Sequence, residues 1–285
     1  MGQACHITII RPPGYVHADA FAEVADLLEG GLRRLDVAVT RGENRLPPGM
    51  PVILLGAQLL PDPLIARLPP TAIVYNLEQL DPASVWFRRT LAVAATRPVW
   101  DYSRENLRRL AGYTPALRVR HVPLGYVPEL TRIPVCPDPD IDVLFYGSLN
   151  PRRMAVLEAL RRNGLRVAQL FGVYGTARDA VIARSKVVLN VHYYPAAIFE
   201  FVRVFYLLAN RKAVVSEVSA PADLDPDLRG AVRFARYEDL VDAVRELVDH
   251  PPARRRREEA GLAVMQARDE AAILRQALAL PPGRA

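Results

Sequence analysis

Short apolar runs alternate with segments of helical period along most of the chain. Within the first 130 residues we predict strands at 6–10, 36–39, 52–55, 72–75, 99–100 and 117–121. Helices are predicted between them at 19–28, 63–67, 84–94 and 104–110, the first capped by Asp19 and stopped by Gly30 and Gly31. Apolar strands separated by helices are typical of a parallel sheet that helices cover on both faces. The first half therefore predicts a Rossmann-like domain.

A stretch rich in proline and acidic residues interrupts this pattern at 128–140 and has the composition of a linker. Beyond it we predict strands at 142–146, 166–170, 186–191, 213–216 and 232–235. Helices are predicted at 151–162, 177–184, 198–209 and 237–248, followed by a long terminal helix. The predicted fold class is α/β, with two Rossmann-like domains and a cleft between them. We place them at 1–130 and 131–265, with a C-terminal helix at 266–285 that packs back on the first.

The composition limits the class of protein. With 285 residues, of which 51% are apolar, the chain can bury substantial cores. It has no apolar run of about 18 residues, and its first residues lack the pattern of a secretory signal. Cys5 and Cys136 are the two cysteines, too few for a disulfide framework or a zinc cluster. We expect a cytoplasmic protein with reduced thiols and no integral membrane contact.

The net charge of +6 is compatible with an anionic partner, such as a phosphate-bearing ligand, nucleic acid or an acidic membrane. The densest basic run, 254–257, precedes two glutamates in a predicted helix, which favours a solvated face. Basic and aromatic residues do not alternate as in nucleic-acid modules, so no nucleic-acid partner is expected. The alternative is an anion-binding interaction protein that uses this terminal helix.

The stretch 186–217 carries polar residues only where a predicted strand or helix begins or ends. Ligand sites of open parallel sheets lie at the carboxyl ends of strands and at the following helix starts. Asn190, His192, Glu200 and Arg203 occupy such positions, which predicts a ligand site.

Each of these side chains also has a structural interpretation. Glu200 and Arg203 are spaced i, i+3 on a largely apolar helix, so they can pair with each other instead of meeting a ligand. His192 can be a hydrogen-bonded structural residue rather than a proton carrier. Tyr193 and Tyr194 can stack on a base or merely pack.

A second candidate site follows the strand 142–146, in the sequence GSLNPRR at 147–153. Asn150 is a favourable helix cap and Pro151 a favourable first residue, so the two arginines that follow belong to the first turn. Positive charge at a helix start is unfavourable unless an anion is present, and a phosphate would resolve the conflict. The alternative is that the arginines point to solvent or to Glu158.

Polar residues also follow strands in the first half. Gly14, Tyr15 and His17 come after the first strand, where a second substrate commonly binds. Asn76 and Glu78 follow the strand 72–75 in the same sense. Asn76 and Glu78, like Gln79, Asp101 and Ser103, can equally serve as helix caps or turn residues.

The motifs IDVLFYGSLNPRR, LFGVYG and VVLNVHYYPAAIFEFVRVFYLLANRKAVVSE resemble those of a glycosyltransferase with the GT-B fold, of the group-one and CgeB-like kind. The resemblance implies that the second half binds a nucleotide-sugar, the first half binds the acceptor, and the site lies in the cleft. It matches Gly147, Ser148, Arg152 and Arg153 to the donor-phosphate loop. It matches Glu200, loosely, to the acidic residue that contacts the donor. The second glutamate common in group-one enzymes has no counterpart near 204–206.

Taken together, the predicted function is transfer of a sugar from a nucleotide-sugar to an unknown acceptor, without a cofactor or metal. The predicted catalytic residues are His17, Glu78 and Glu200. The predicted donor-binding residues are Gly147, Ser148, Arg152, Arg153, Asn190, His192 and Arg203, and the acceptor-side residues are Gly14, Tyr15 and Asn76. The arginines would stabilise the departing diphosphate, opposite a base. The alternative is a non-catalytic protein that binds a nucleotide or nucleotide-sugar.

Overall fold

The structure is a computed structural model that describes residues 4–82, 84–113, 118–193, 198–219 and 225–279. The chain divides into two compact units. Unit 1 consists of Met1–Glu129 and Arg268–Ala285, and unit 2 consists of Leu130–Ala267. The chain therefore leaves unit 1 near residue 129 and returns to it near residue 268.

Unit 1 contains a parallel sheet of six strands in the order β2-β1-β3-β4-β5-β6. The strands are β1 (Ala4–Ile9), β2 (Ala38–Glu43), β3 (Val52–Leu55), β4 (Ala72–Asn76), β5 (Val99–Asp101) and β6 (Val119–His121). The α-helices are α1 (Ala22–Arg33), α2 (Asp62–Ala66), α3 (Val85–Ala94), α4 (Arg104–Ala111) and, from the C-terminal segment, α11 (Glu270–Ala277). All six predicted strands are confirmed, although Leu117 lies outside the described residues.

Unit 2 contains a parallel sheet of five strands in the order β11-β10-β9-β7-β8. The strands are β7 (Ile141–Tyr146), β8 (Val167–Leu170), β9 (Ser185–Asn190), β10 (Ala213–Glu217) and β11 (Val232–Ala235). The helices are α5 (Pro151–Arg162), α6 (Gly175–Ala183), α7 (Phe201–Ala209), α8 (Leu228–Ala231), α9 (Leu240–Asp249) and α10 (Pro251–Gln266). Two parallel α/β units were predicted, and both are confirmed; the short α8 was not predicted.

The core of unit 2 lies around its central strands. Val143, Phe145, Val187, Leu189 and Val215 from β7, β9 and β10 are fully buried and pack with α5 and α9. Each such side chain stabilises the unit by about 1.5–3 kcal/mol relative to exposure. Because this core fixes β7, β9 and β10 side by side, the loops that leave their carboxyl ends share one edge of the sheet.

The prediction that Gly30 and Gly31 stop the first helix is wrong. Both glycines lie inside α1. A Cβ on Gly31 would lie 2.6 Å from Cγ of Glu270 on α11, and one on Gly30 would lie 3.0 Å from Cγ2 of Val127. These glycines therefore allow close packing within unit 1. Asp19 was also predicted wrongly as a cap, because it lies inside the 3-10 turn Val16–Phe21 and pairs with Arg11.

The predicted long terminal helix is two helices, α10 and α11, with Asp269 capping the second by accepting from Ala271 N at 3.0 Å. The basic run on α10 is only partly a solvated face. Arg254 donates to Leu247 O at 3.1 Å, and Arg257 donates to Val232 O at 3.1 Å, whereas the two arginines between them are exposed. Half of this run therefore binds carbonyl groups of unit 2.

In the described ranges, no helix combines the length and the apolar sequence that a membrane span needs.

Candidate functional site

The loop from β7 to α5 occupies the carboxyl edge of the unit 2 sheet. Gly147 has a φ of +131°, a conformation that side chains other than glycine rarely adopt. The Asn150 side chain accepts from the Arg153 N–H at 2.8 Å, and Pro151 is the first residue of α5. The predicted cap and helix start are thus confirmed, and both arginines lie in the first turn.

Arg153 is buried and connects three segments of this edge. Its side chain is 3% exposed. Its Nε donates to Val191 O at 2.8 Å, Nη1 to Ser148 O at 2.9 Å, and Nη2 to a Glu200 oxygen at 2.7 Å. Burial lowers the pKa of Arg153, while the Glu200 carboxylate opposes that shift. Arg153 therefore holds the loop against the end of β9 and against Glu200.

Glu200 lies between two arginines at the start of α7. Its second oxygen pairs with Arg203 Nη1 at 2.8 Å, so the predicted i, i+3 pair is confirmed, with Arg153 as an additional partner. Arg203 Nη1 also donates to Asn190 Oδ1 at 3.1 Å, and Asn190 Nδ2 donates to Ser216 Oγ at 3.0 Å. The helix begins at Phe201 rather than at 198, which leaves the carboxylate at its N-terminus, where negative charge is favourable.

Arg152 pairs with Glu217, not with solvent or Glu158 as the alternative interpretation had it. Its Nη1 lies 2.6 Å from one Glu217 oxygen and its Nη2 contacts the other, which is the bidentate geometry of a strong pair. These bonds raise the pKa of Arg152. Its guanidinium also lies 3.9 Å from the centre of the Tyr237 ring, and its side chain is 38% exposed. Arg152 is therefore held in one orientation but reachable from solvent.

Carboxylates at this edge of the sheet offset most of the positive charge that the sequence places at the start of α5. Three guanidinium groups, those of Arg152, Arg153 and Arg203, face two carboxylates, those of Glu200 and Glu217, so 3 − 2 leaves a formal charge of +1. The arginines of the first turn are thus compensated from within the chain, and an anion is not required to explain them. The surplus charge still favours an anionic ligand.

Sequence reasoning missed Glu217 and Arg178 as parts of this edge. Glu217 is the last residue of β10, and its position at a strand end was the available signal. Arg178 on α6 is 4% exposed and pairs with Asp179 at 2.8 Å. Its guanidinium lies 5.8 Å from the ring centre of Tyr146, and the guanidinium of Arg203 lies 5.2 Å from the same ring centre. The neighbouring Asp179 is visible in the sequence, but the approach of Arg178 to the Tyr146 ring is set by the fold and has no local signal.

His192 is buried at the end of the site, with 2% exposure. Its main-chain N–H donates to Glu217 at 3.1 Å, and its Nε2 lies 3.2 Å from Val218 O and 3.0 Å from Ser219 Oγ. Burial lowers the pKa of the imidazole, although Glu200 and Glu217 oppose the shift. The adjacent Tyr193 is half exposed, with Arg153 5.2 Å from its ring centre. Tyr194 lies outside the described residues.

We expect Gly147→Ala to disturb the site. A Cβ at this position would lie 2.9 Å from Arg203 Nη2, and φ of +131° strains a non-glycine backbone by about 1–3 kcal/mol. Affinity for a nucleoside diphosphate should fall at least about tenfold, measured by calorimetry, because Arg203 must move. Gly164→Ala is the matched control, since its φ is +81° and nothing lies within 4 Å of its added Cβ. Equal affinity in both variants would contradict this role of Gly147.

The predicted residues of unit 1 form a separate group in that unit. Gly14 is exposed with a φ of +72°, and the rings of Tyr15 and His17 meet edge to face with centres 5.4 Å apart. Burial raises the pKa of Tyr15, and the nearby Glu78 carboxylate adds to the shift. Glu78 also accepts from Gln58 Nε2 at 2.9 Å. Tyr15 therefore contacts the ring of His17 and lies within electrostatic range of Glu78, the two candidate bases of this unit.

Asn76 is engaged in a buried turn after β4. Its Nδ2 donates to Asp101 at 2.7 Å and to Glu78 O at 3.0 Å. Asp101 in turn accepts from Ser103 N at 2.8 Å, and Ser103 caps α4 by accepting from Asn106 N at 3.1 Å. The interpretation of these residues as turn and cap residues is therefore confirmed.

No protein-family model matches the chain. Among curated proteins, L138 of Acanthamoeba polyphaga mimivirus is 32% identical over 154 residues, which is 52% of this chain and 17% of that protein. L137 of the same virus is 27% identical over 196 residues, covering 66% of this chain and 26% of L137. Both carry the description "uncharacterized". The chain thus spans about a quarter or less of these two relatives.

Solved structures resemble the chain over nearly its whole length. AviGT4, a glycosyltransferase of avilamycin A biosynthesis, has a TM-score of 0.61 at 16% identity and covers 97% of this chain and 96% of its own. HepE of Anabaena, in complex with UDP and glucose, has a TM-score of 0.63 at 12% identity, covering 98% and 99%. WaaG, a glycosyltransferase of lipopolysaccharide biosynthesis, has a TM-score of 0.58 at 12% identity, covering 99% and 100%. The fold is therefore that of GT-B glycosyltransferases, as predicted.

Proposed function

We propose that the chain is a nucleotide-sugar-dependent glycosyltransferase whose unit 2 binds the donor at the carboxyl edge of β7, β9 and β10. The observation that carries this proposal is the arrangement of Arg152, Arg203 and Gly147 beside the start of α5. Oriented guanidinium groups beside the positive end of a helix dipole are a common phosphate-binding combination. The fold likeness to glycosyltransferases, one of them in complex with UDP and glucose, supports the same assignment.

Burial divides the arginines into two roles. Arg153, with 3% of its side chain exposed, positions the loop and Glu200. Arg203 and Arg152, with 17% and 38% exposed, are the groups that reach a diphosphate. Transfer of a sugar passes through an oxocarbenium-like state as the diphosphate departs, so fixed positive charge at that group lowers the barrier. Metal-independent transfer is part of the proposal, and full activity in excess EDTA is the corresponding test.

We further propose that unit 1 supplies the acceptor-side groups, with His17 as the base. His17→Ala should lower the transfer rate by about 10²–10⁴-fold, the usual contribution of a general base. Calorimetric affinity for the nucleoside diphosphate should stay unchanged, because the variant leaves unit 2 intact. Glu78→Gln provides the comparison for the second candidate base. A His17→Ala enzyme that transfers at the wild-type rate would remove His17 from the mechanism.

The proposed function is tested by thermal-shift screening of UDP, GDP, ADP and TDP with and without attached sugars. A ligand that binds only the native state raises the melting temperature, and at about 100 times its Kd it adds about 2.7 kcal/mol. We expect one nucleotide class to do so, followed by donor hydrolysis or transfer. Binding without either reaction would favour a non-catalytic nucleotide-sugar-binding protein.

The finer assignment to the group-one and CgeB-like kind rests on the motifs in 142–217 and remains part of this proposal.

A further inference from the structure

The hydrogen bonds of His192 fix its tautomer. Nε2 lies 3.2 Å from the carbonyl oxygen of Val218, and a carbonyl oxygen can only accept a hydrogen bond. Nε2 must therefore carry the proton. The Ser219 hydroxyl oxygen, 3.0 Å from Nε2, can act as a second acceptor for the same N–H group. In the neutral imidazole, Nδ1 is then a bare acceptor.

Among the described residues, that acceptor lacks a partner. His192 is 2% exposed, and within the described ranges of the chain no group forms a hydrogen bond with its Nδ1. Buried polar atoms in native proteins are almost always paired, so an exception calls for an explanation such as a ligand. His192 is also part of the site, because its main chain binds Glu217 and its carbonyl oxygen lies 3.4 Å from Arg152 Nη1.

We propose that His192 Nδ1 accepts a hydrogen bond from a hydroxyl or N–H group of the bound nucleotide-sugar. This inference rests on the proposed function and makes it more specific. Phosphate oxygens at neutral pH offer lone pairs and no proton, so a bare imidazole nitrogen cannot bind them. His192 therefore recognises the transferred sugar or the nucleoside, while Arg152 and Arg203 bind the diphosphate. A donor analogue that lacks the matching hydroxyl or N–H group would leave Nδ1 unpaired and should be discriminated against.

Two substitutions separate the two nitrogens of His192. His192→Gln places an amide N–H near the position of Nε2, so the bond to Val218 O can persist while the acceptor at Nδ1 is lost. His192→Asn places its amide near Nδ1, so the acceptor persists while the Nε2 donor is lost. We expect His192→Gln to lower affinity for the cognate nucleotide-sugar by about tenfold, the value of one hydrogen bond, and His192→Asn to bind more tightly than His192→Gln.

The ligands for this experiment are UDP and UDP-glucose, or the GDP, ADP or TDP pair that the wild type binds. A loss seen only with the nucleotide-sugar assigns the donor group to the transferred sugar, and an equal loss with the nucleotide alone assigns it to the nucleoside, as a ribose hydroxyl or a base N–H. Equal affinities of the wild type and His192→Gln for both ligands would overturn the proposal.

Nitrogen-15 NMR of the imidazole gives a readout that does not depend on the variants. The free protein should show the Nε2–H tautomer, and the Nδ1 resonance should move in the direction of hydrogen bonding when the ligand is added. The Nδ1–H tautomer, or an Nδ1 resonance that does not respond to a bound nucleotide-sugar, would overturn the inference. Failure of the wild type to bind any nucleotide would instead overturn the proposed function, while the tautomer of the free protein is still measured.

Discussion

Glu200→Gln is expected to reduce sugar transfer by at least about a hundredfold and to destabilise unit 2 by about 3 kcal/mol. Glu200 is the shared carboxylate of Arg153 and Arg203, at 2.7 and 2.8 Å. Glutamine keeps the shape but not the charge, which leaves the buried Arg153 guanidinium without its counterion. Arg203 then keeps only its bond to Asn190 among the bonds described above, and Arg153 keeps its bonds to Val191 O and Ser148 O, so the positive charge at the proposed diphosphate site is less well preorganised.

The stability part of this prediction is measured by denaturant unfolding followed by far-UV circular dichroism. Tryptophan fluorescence alone would miss it, since the two tryptophans, Trp86 and Trp100, both belong to unit 1. Glu158→Gln is the matched control, because Glu158 forms an exposed pair with Arg162 at 3.9 Å, and such pairs contribute less than about 1 kcal/mol. A folded Glu200→Gln protein with wild-type stability and rate would show that the pair has neither role.

Glu270→Gln is expected to remove most of the pH dependence of unit 1 stability between pH 4.5 and 8. Glu270 is fully buried, with one oxygen accepting from Gly125 N at 2.8 Å and the other unpaired within the described residues. Burial raises the pKa of this carboxyl group from 4.5 to about 8. Between these values the native state keeps a proton that the unfolded state releases.

The sign of the effect follows from this proton difference. The unfolded state binds fewer protons, so the free energy of unfolding of the wild type falls as pH rises, by about 1.4 kcal/mol per pH unit. The variant should lack this slope and exceed the wild type in stability by about 4 kcal/mol at pH 8, because the loss accumulates from pH 4.5 and levels off at the folded-state pKa of about 8. Tryptophan fluorescence in denaturant at pH 5, 6, 7 and 8 measures it, because both tryptophans report on unit 1.

Glu129→Gln controls for the loss of any carboxylate in unit 1. Its pKa is lowered by the hydrogen bond from Arg34, so it titrates below the window and its removal should leave the slope unchanged. If Glu270→Gln retained the wild-type slope, the carboxyl group would have to be ionised in the folded protein at neutral pH.

Local signals account for the parts of the fold that the sequence predicts well. Every predicted strand exists, because a buried parallel strand needs only a short apolar run between turn residues. The cap at Asn150 and the helix start at Pro151 depend on two adjacent residues and are likewise readable. The parallel pairing of β7 with β9 places the 147–153 loop beside the end of β9, where Arg153 donates to Val191 O.

The ion-pair partners of Arg152 and Arg153 cannot be predicted from the local sequence. Arg152 and Glu217 are 65 residues apart in the sequence, and Arg153 and Glu200 are 47 residues apart. Only the folded sheet brings the members of each pair together. Gly30 and Gly31 illustrate the same limit, because their role is set by α11 from the far end of the chain. A glycine in a helical pattern signals either a stop or close packing, and the local sequence is the same for both.

Under the proposed function, the cluster of Arg152, Arg203 and Gly147 in unit 2 binds the diphosphate of a nucleotide-sugar. Calorimetric titration of UDP, GDP, ADP and TDP into the wild type and Arg203→Met tests it most directly, with Arg162→Met as control because Arg162 is 70% exposed at the far end of α5. We predict that the wild type and Arg162→Met bind one nucleotide class equally and that Arg203→Met binds it at least about tenfold more weakly. Equal binding by all three proteins, or no binding by the wild type, would contradict the claim.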